Sequence, residues 1–217
     1  PYTFTSAEFQ NFMLINNLIG STIIGVLLAI LFNTFLGRWM IREEHQQQLI
    51  LLDPLTQTLN RRGLSIKFNR LVNQKQLAGQ NKEHICLALL DLDWFKQVND
   101  RYGHDGGDQV LKQIPKILQK NLRSEDIIGR FGGEEFMIIF SNTSPQIAQN
   151  VLERCRIAIE QHRIAYAEHE IQITASFGLI ALYVYHADQH ELIQRTDAAL
   201  YKAKQSGRNN VQQDIES

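Results

Sequence analysis

An uncharged run of 29 residues lies between Glu8 and Arg38, and it constrains this chain more than any other feature. Its central part, residues 18–35, is dense in leucine, isoleucine, valine and phenylalanine. A helix needs about 20 apolar residues to cross a bilayer, and a core helix of a soluble protein seldom runs so long without a charge. A signal peptide would have a basic stretch before a short apolar segment, whereas Glu8 is the one charged residue here. The sequence therefore predicts a transmembrane helix over residues 12–37.

The flanks of this run predict how the chain is oriented. Arg38 and Arg42 follow it closely, and no lysine or arginine precedes it. Since positively charged residues flank membrane spans on the cytoplasmic side, we expect everything after the span to be cytoplasmic. Residues 38–52 then form a polar linker helix. The chain begins with Pro1 and not with methionine, so residues 1–11 are expected to be the extracytoplasmic tail of a truncated N-terminus.

Charge balance and cysteine content exclude several classes of function. The 217 residues carry 22 lysines and arginines against 23 aspartates and glutamates, so no net field favours nucleic acid, and phosphate binding must depend on a few placed cations. Cys86 and Cys155 lie in apolar surroundings without a CxxC pair, which predicts buried, reduced thiols and not a zinc site. This length leaves room for one domain of about 150 residues beside the span.

Helical and strand patterns alternate from Asp53 onward, which is typical of an α/β domain. The run 85–91 is largely apolar, as expected of a central strand that is buried on both faces. Gly132 and Gly133 join two apolar runs, and since glycine readily adopts the positive φ of a tight turn, they predict a hairpin with a two-residue turn. The remaining predicted elements are strands 127–131, 136–140 and 171–182, and helices 61–77, 110–118, 147–159 and 191–204. Pro115 is expected to kink the helix over residues 110–118 or to limit its regularity.

Four acidic residues lie where the predicted strands begin or end. Asp91 and Asp93 are two residues apart, so they point to one face if the extended geometry persists. Glu134 and Glu135 directly follow the glycine turn, and because strand neighbours point to opposite faces, one of the two is expected to join Asp91 around an ion. A carboxylate-only cluster favours magnesium or manganese. In an arbitrary α/β protein the same acids are solvated strand ends, so the cluster alone does not decide the chemistry.

The motifs around these acids favour the metal site. Residues 132–136 read Gly-Gly-Glu-Glu-Phe and resemble the signature of the GGDEF family of diguanylate cyclases, in its GGEEF form. Gln57, Trp94 and Phe177 stand where that family more often has glycine, phenylalanine and isoleucine. The resemblance spans about residues 53–211, because further family motifs occur in the same order and spacing: DPLTQTLNRR at 53–62, DLDWFKQVND at 91–100, YGHDGGD at 102–108 and DAALYKAKQSGRN at 197–209.

The resemblance implies a fold and an activity. The fold is an α/β palm domain like that of nucleotidyl cyclases, with a central, mainly antiparallel sheet flanked by helices over residues 53–213. The activity is the condensation of two GTP molecules into cyclic di-GMP with release of pyrophosphate. Each domain presents one GTP, so a homodimer is also implied. With the predicted span, the chain is expected in the inner (cytoplasmic) membrane of a bacterium, with its catalytic domain in the cytoplasm and without a nucleic acid partner.

The resemblance also implies a metal site and a catalytic acid or base. The metal, Mg²⁺ or Mn²⁺, is expected at Asp91, the Leu92 carbonyl and Glu134. Glu135 matches the family residue that is often proposed to help deprotonate the 3′-hydroxyl. Coordination of that hydroxyl by the metal would itself make it more acidic, so the role of Glu135 stays open at this point.

Other positions are expected to bind guanine and triphosphate. Asn99 and Asp108 match the residues that read the guanine edge, where a carboxylate accepts from N1–H and N2–H and an amide both donates and accepts. The alternatives are a cap for Asn99 and ordinary helix C-terminal cations for Lys204 and Arg208. The triphosphate is expected at three cations and at the backbone amides of two residues: Lys96, Lys204, Arg208, Trp94 and Phe95.

A second nucleotide site is implied by residues 123–126, which match the RxxD motif that binds product and inhibits the enzyme in this family. Arg123 can donate to guanine O6 and N7, and Asp126 can accept from N1 and N2. A local surface ion pair is the alternative.

A purely structural membrane anchor would not need the guanine and phosphate residues together, and two other functions remain as alternatives for the whole chain. One is a catalytically silent receptor for GTP or cyclic di-GMP, which the presence of Asp91 and Glu134 disfavours. The other is an adenylate-type cyclase, which Asn99 and Asp108 disfavour because they suit guanine.

Overall fold

The computed structural model of the chain describes residues 5–49, 51–80, 83–184 and 189–215. These divide into two compact units, Pro1–Ile50 and Leu51–Ser217. The first unit is a helix, α1, which covers Ser6–Leu49.

Helix α1 contains the charge-free run. Its segment Met13–Leu36 has 24 residues with a mean hydropathy of 2.1, and its large apolar side chains are exposed. Length and composition therefore suffice for a membrane span, although a signal sequence would pass the same test. The helix continues without interruption to Leu49, so the span and most of the expected linker belong to one helix. The expected tail falls partly on residues 1–4, which lie outside the described residues.

The second unit alternates helices and strands. In chain order its elements are α2 (Arg61–Leu77), β1 (His84–Leu92), α3 (Phe95–Gln119), β2 (Ile127–Arg130), β3 (Glu135–Phe140), α4 (Pro145–Gln161), β4 (Ile164–Tyr166), β5 (His169–Ile171), β6 (Ala175–Tyr183), α5 (Gln189–Gln205) and β7 (Val211–Ile215). The predicted α/β class is confirmed, and the predicted bounds of α2 coincide with those observed.

Five strands form the main sheet in the order β2-β3-β1-β6-β7. All neighbours are antiparallel except β6 and β7, which are parallel. Strand β1 is central, and Asp91 near its end pairs with Glu135 of β3 on one side and with Ser176 of β6 on the other. The expected mainly antiparallel sheet is thus confirmed, and its register brings three strand ends together at one edge.

Strand β1 is buried on both faces because helices cover both sides of the sheet. Cys86, Ala88 and Leu90 pack with α3 and α4, whereas Leu87 and Leu89 pack with α2 and α5. This explains why the strand reads as a continuous apolar run instead of alternating. Both cysteines are buried and free, as predicted, and burial raises the pKa of each thiol to about 12.

The hairpin of β2 and β3 is confirmed, but the predicted reason for it is wrong. The connecting loop covers residues 131–134, the Phe131 amide donates to the Glu135 carbonyl at 2.8 Å, and neither Gly132 nor Gly133 has a positive φ. A Cβ atom on Gly132 would instead lie 2.5 Å from Oε2 of Glu135. This glycine therefore makes room for a carboxylate.

Two further predictions need correction. Helix α3 runs through Pro115, and its non-helical residue is Gly103, with φ 74° and ψ 171°. The predicted strand 171–182 is divided, since β5 ends at Ile171 and β6 starts at Ala175. The intervening Thr174 carbonyl accepts a hydrogen bond from the Asp93 amide at 2.9 Å, which continues the register of β1 and β6 one pair beyond Ala175.

Candidate active site

Three carboxylates converge where β1 ends and β3 begins. Asp91 is buried and is the ladder partner of Glu135, and the Glu134 carbonyl accepts a hydrogen bond from the Leu92 amide at 3.4 Å. Nζ of Lys204, on the last turn of α5, lies 2.8 Å from Oδ2 of Asp91. The fold thus places the expected metal ligands and one expected phosphate-binding cation in a single cluster.

Burial raises the pKa of each acid in this cluster, and the charge of a neighbouring carboxylate adds to it, which for Asp91 is that of Asp93. Burial is the largest cause for Asp91, Glu134 and Glu135, and the charge of Asp91 adds to it for both glutamates. The Lys204 ammonium acts in the opposite direction on all three. The charge of Asp91 therefore acts on both Glu134 and Glu135, although neighbours on a strand point to opposite faces.

The donor set fits a hard divalent cation that is completed by substrate. In the described part of the chain no group of three or more histidine, cysteine, aspartate or glutamate side chains is arranged to hold a metal by itself. Magnesium usually takes one or two protein carboxylates plus phosphate oxygens and water, which matches Asp91, the Leu92 carbonyl and Glu134. Positive charge favours the ionised form of these acids, because Lys204 lowers the pKa of each of them. A metal cation would act in the same direction.

Asp93 is engaged away from this cluster. It is 3% exposed, and its carboxylate accepts hydrogen bonds from the Thr174 hydroxyl, the Ser176 hydroxyl and the Asn209 amide at 2.8, 2.7 and 3.0 Å. The extended backbone of β1 does not continue to the next residue, Trp94, whose φ is 60°. Asp93 therefore joins β1 to β6 and to the segment after α5, a role that the sequence did not reveal.

The start of α3 offers donors for an anion. Trp94 is the N-terminal cap residue, its side chain makes no capping hydrogen bond, and the first turn contains no acidic residue. The first amide groups of a helix have no partner within the helix, so those near Phe95 are oriented for phosphate oxygens. Lys96 is exposed in this turn. The Arg208 guanidinium lies over the Trp94 ring, with its Cζ 3.9 Å from the centroid, so it too is beside the helix start.

The two expected guanine-binding residues lie on opposite sides of the break in α3. A Cβ atom on Gly107 would collide with Oδ1 of Asn99, so the amide of Asn99 lies against the backbone next to Asp108. The non-helical Gly103 separates the two helical parts that carry them. Among the described residues, no hydrogen bond engages either side chain, and the alternative of a cap for Asn99 is not observed.

The RxxD segment forms a turn and not an ion pair. The Asp126 carboxylate accepts from the backbone amides of Arg123 and Ser141 at 3.0 and 3.3 Å. The Arg123 side chain is exposed, and within the described residues it makes no ion pair. The alternative of a surface ion pair between the two is therefore wrong.

An ion pair between Asp53 and Arg130 was missed at the sequence level. Nη1 of Arg130 lies 3.2 Å from Oδ1 of Asp53, and the same guanidinium donates to the carbonyls of Gly132 and Gly133. Both residues lie inside or beside quoted motifs, but sequence spacing does not show that these motifs touch. Gln57, which replaces the usual glycine, has φ 58°, a conformation that glycine adopts without strain.

Known proteins are similar to this chain in sequence. Residues 50–210 match the family described as "Diguanylate cyclase, GGDEF domain". Diguanylate cyclase A of Treponema denticola is 39% identical over 134 residues, which cover 62% of this chain and 36% of that protein. Diguanylate cyclase DgcP of Pseudomonas aeruginosa is 40% identical over 169 residues, which cover 78% of this chain and 25% of that protein.

Solved structures are similar as well. The diguanylate cyclase SiaD of Pseudomonas aeruginosa, solved with its activator SiaC, has a TM-score of 0.71 at 32% identity and covers 96% of this chain and 78% of its own. The GGDEF domain of DgcB from Caulobacter crescentus, solved with cyclic di-GMP, has a TM-score of 0.69 at 31% identity. The match covers 75% of this chain and 95% of the DgcB domain. The chain spans between a quarter and two fifths of the length of these curated relatives. Its matched residues and its fold establish that the chain belongs to the GGDEF diguanylate cyclase family.

Proposed function

We propose that this chain is a diguanylate cyclase, which condenses two GTP molecules into cyclic di-GMP and releases two pyrophosphates. The observation that carries the proposal is the convergence of Asp91, Glu134, Lys204 and Arg208 with the start of α3 at one edge of the sheet. Family membership and relatives that are named diguanylate cyclases support it.

The reaction is an in-line phosphoryl transfer. The 3′-oxygen of one GTP attacks the α-phosphorus of the other, the bond from that phosphorus to the oxygen bridging to the β-phosphorus breaks, and pyrophosphate leaves. Lys96, Lys204 and Arg208 would neutralise the triphosphate, and the amides at Trp94 and Phe95 would hold its oxygens. Each chain carries one such site, so the two reacting nucleotides require a homodimer.

A divalent ion, Mg²⁺ or Mn²⁺, would be held by Asp91, the Leu92 carbonyl and Glu134, and it would supply charge stabilisation at the phosphates and acidify the 3′-hydroxyl. Glu135 has a raised pKa, which moves it toward neutral pH and suits a residue that exchanges a proton. We propose that it accepts the hydroxyl proton.

Guanine would be selected by Asn99 and Asp108, whose side chains make no hydrogen bond within the described protein and are available to the base edge. Adenine presents a different donor and acceptor pattern, so ATP would leave the Asp108 carboxylate unmatched. The exposed Arg123 and the turn-forming Asp126 would bind cyclic di-GMP as a product inhibitor.

Residues 12–37 would anchor the chain in the inner membrane, with residues 53–213 in the cytoplasm where GTP is available. The positive charges at Arg38 and Arg42 support this orientation.

Incubation of the full chain in lipid nanodiscs with GTP and MgCl₂, followed by mass spectrometry of the products, tests the proposal. We expect cyclic di-GMP with two pyrophosphates per product, no cyclic product from ATP, and at least about a hundredfold less product from Glu134→Gln. Binding of GTP without turnover would favour the alternative, a catalytically silent receptor.

A further inference from the structure

Arg208 lies on a segment with an unusual backbone. Arg208 and the following Asn209 have φ values of 63° and 46°, a left-handed conformation that residues other than glycine seldom adopt. Such a backbone persists when the surrounding structure holds it, and it often marks a functional position.

Hydrogen bonds hold this backbone from three directions. The Asn209 amide donates to the buried Asp93 carboxylate at 3.0 Å, and the Arg208 amide donates to the Ala203 carbonyl at 3.2 Å. The Asn210 side chain donates to the Arg208 carbonyl at 2.8 Å. The Cα of Arg208 is therefore fixed relative to the end of β1 and to the last turn of α5.

The side chain of Arg208 is held by an aromatic ring and not by an acid. Its Cζ lies 3.9 Å from the centroid of the Trp94 ring, and within the described residues it makes no ion pair with a carboxylate. Arginine commonly stacks on tryptophan, where the ring face attracts the cation. A carboxylate partner would compete with phosphate for the N–H donors, whereas a stacked ring leaves those in-plane donors available.

We propose that the indole of Trp94 is a positioning residue, which holds the Arg208 guanidinium at the start of α3 so that it can bind the terminal phosphates of a nucleoside triphosphate. This inference rests on the proposed function. It assigns a role to the Trp94 side chain, which is distinct from the phosphate contact proposed for its backbone amide. Trp94 is 56% exposed, so its replacement does not open a cavity in the core.

The test is a binding cycle on the full chain in nanodiscs. We measure the Kd of a non-hydrolysable GTP analogue and of GMP for the wild type, Trp94→Leu, Trp94→Phe, Arg208→Ala and the double variant Trp94→Leu/Arg208→Ala. We expect Trp94→Leu to raise the Kd of the analogue roughly two- to fivefold, the range of an exposed cation–π contact, and Trp94→Phe to raise it less. GMP, which lacks the terminal phosphates, should bind unchanged.

In the Arg208→Ala background, Trp94→Leu should have no further effect. Gln97→Ala, an exposed change one turn further along α3, is the matched control and should leave both constants unchanged. If Trp94→Leu weakens GMP and the analogue equally, or acts as strongly without Arg208, then Trp94 is merely structural and the inference fails. If the wild type binds no GTP analogue, the proposed function fails together with it; an unchanged Kd in Trp94→Leu overturns the inference alone.

Discussion

Lys204 and Asp91 form an ion pair of 2.8 Å at the edge of the sheet where substrate and metal are expected. The same ammonium lowers the pKa of Glu134 and Glu135, against burial, which raises it. Lys204 therefore keeps three crowded carboxylates more ionised than they would otherwise be.

Replacement of Lys204 by methionine should move the acid limb of the pH–activity profile to higher pH. Without the cation the pKa values of the three acids rise further, so protonation sets in earlier as the pH falls. The measurement is kcat/KM for GTP against pH at magnesium concentrations well below saturation, where protons compete with the cation for the carboxylates. Lys202→Met, which is exposed on the same helix, should leave the limb in place. An identical limb in both variants would show that the acids titrate independently of Lys204.

Glu134→Gln should reduce cyclic di-GMP synthesis at least about a hundredfold, because even residues that only support a metal ligand contribute ten- to a hundredfold. The free energy of unfolding should not fall. The raised pKa of Glu134 means that the folded state disfavours its charged form, and the substitution removes that charge. Product formation and the melting temperature are measured together, with the exposed Glu168→Gln as the control. Synthesis near the wild-type rate would refute the metal role.

Asp108→Ala should weaken GTP by roughly ten- to a hundredfold, because a hydrogen bond to a charged group contributes about 1.5–3 kcal/mol. Inorganic tripolyphosphate, which lacks the base, should bind with unchanged affinity. Both are measured by competition with a labelled GTP analogue, and Asp105→Ala, exposed on the same helix, serves as the control. Equal weakening of the two ligands would make Asp108 a structural residue.

Arg123→Ala should raise the concentration of cyclic di-GMP that inhibits synthesis by roughly tenfold or more, on the same arithmetic for a lost charged hydrogen bond. Initial rates should be unaffected, because the exposed Arg123 side chain lies outside the residues assigned to GTP. Progress curves with added cyclic di-GMP measure this, with the exposed Lys120→Ala for comparison. Asp126 is a poor choice for the test because its carboxylate holds the turn. If synthesis by the wild type and by both variants slows at the same concentration of cyclic di-GMP, the feedback hypothesis is wrong.

Asp53→Asn should lower the free energy of unfolding by about 1–3 kcal/mol at pH 7, with the difference fading in acid. Burial alone would raise the pKa of Asp53, but hydrogen bonds from Thr56 and the charge of Arg130 outweigh it, so the net shift is downward. The stabilisation is therefore complete above the unfolded-state pKa of about 3.9 and is lost as the pH falls through the lower folded-state value. Urea unfolding of the full chain in detergent at pH 7 and pH 3 measures it, with the exposed Asp100→Asn as control. A constant difference at both pH values would contradict the ionic origin.

The sequence predicted those features that depend on local pattern. Periodicity located α2 and the central strand, and motif order indicated the family and the edge where Asp91 and Glu134 meet. The sequence did not predict β4 and β5, because each has three residues, which are too few to show an alternation of apolar and polar side chains. Strand β7 reads as polar and is held by its parallel pairing with β6, which is a long-range contact.

Roles that depend on tertiary contacts could not be read from spacing. Asp93 looked like a second strand-end carboxylate, yet its partners come from residues about 80 and 116 positions away and bury it. The break at Gly103 and not at Pro115 also follows from context, since the chain must turn there to bring Asn99 beside Gly107. Local propensity favoured the proline, and tertiary packing overrode it.

The strand order gives the domain a defined sequence of assembly during synthesis. The central strand β1 emerges from the ribosome early, but its partner β6 follows only after two helices and four further strands, and β7, which follows the segment carrying Arg208, is the last strand of the described domain. Pairings between distant segments are slow to form, so a nascent chain that stops before β6 exposes one apolar edge of β1. The edge where Asp91, Lys204 and Arg208 meet therefore forms only after β6 and the segment that follows α5 have been synthesised, and chains that stop earlier present an unpaired strand and lack this cluster.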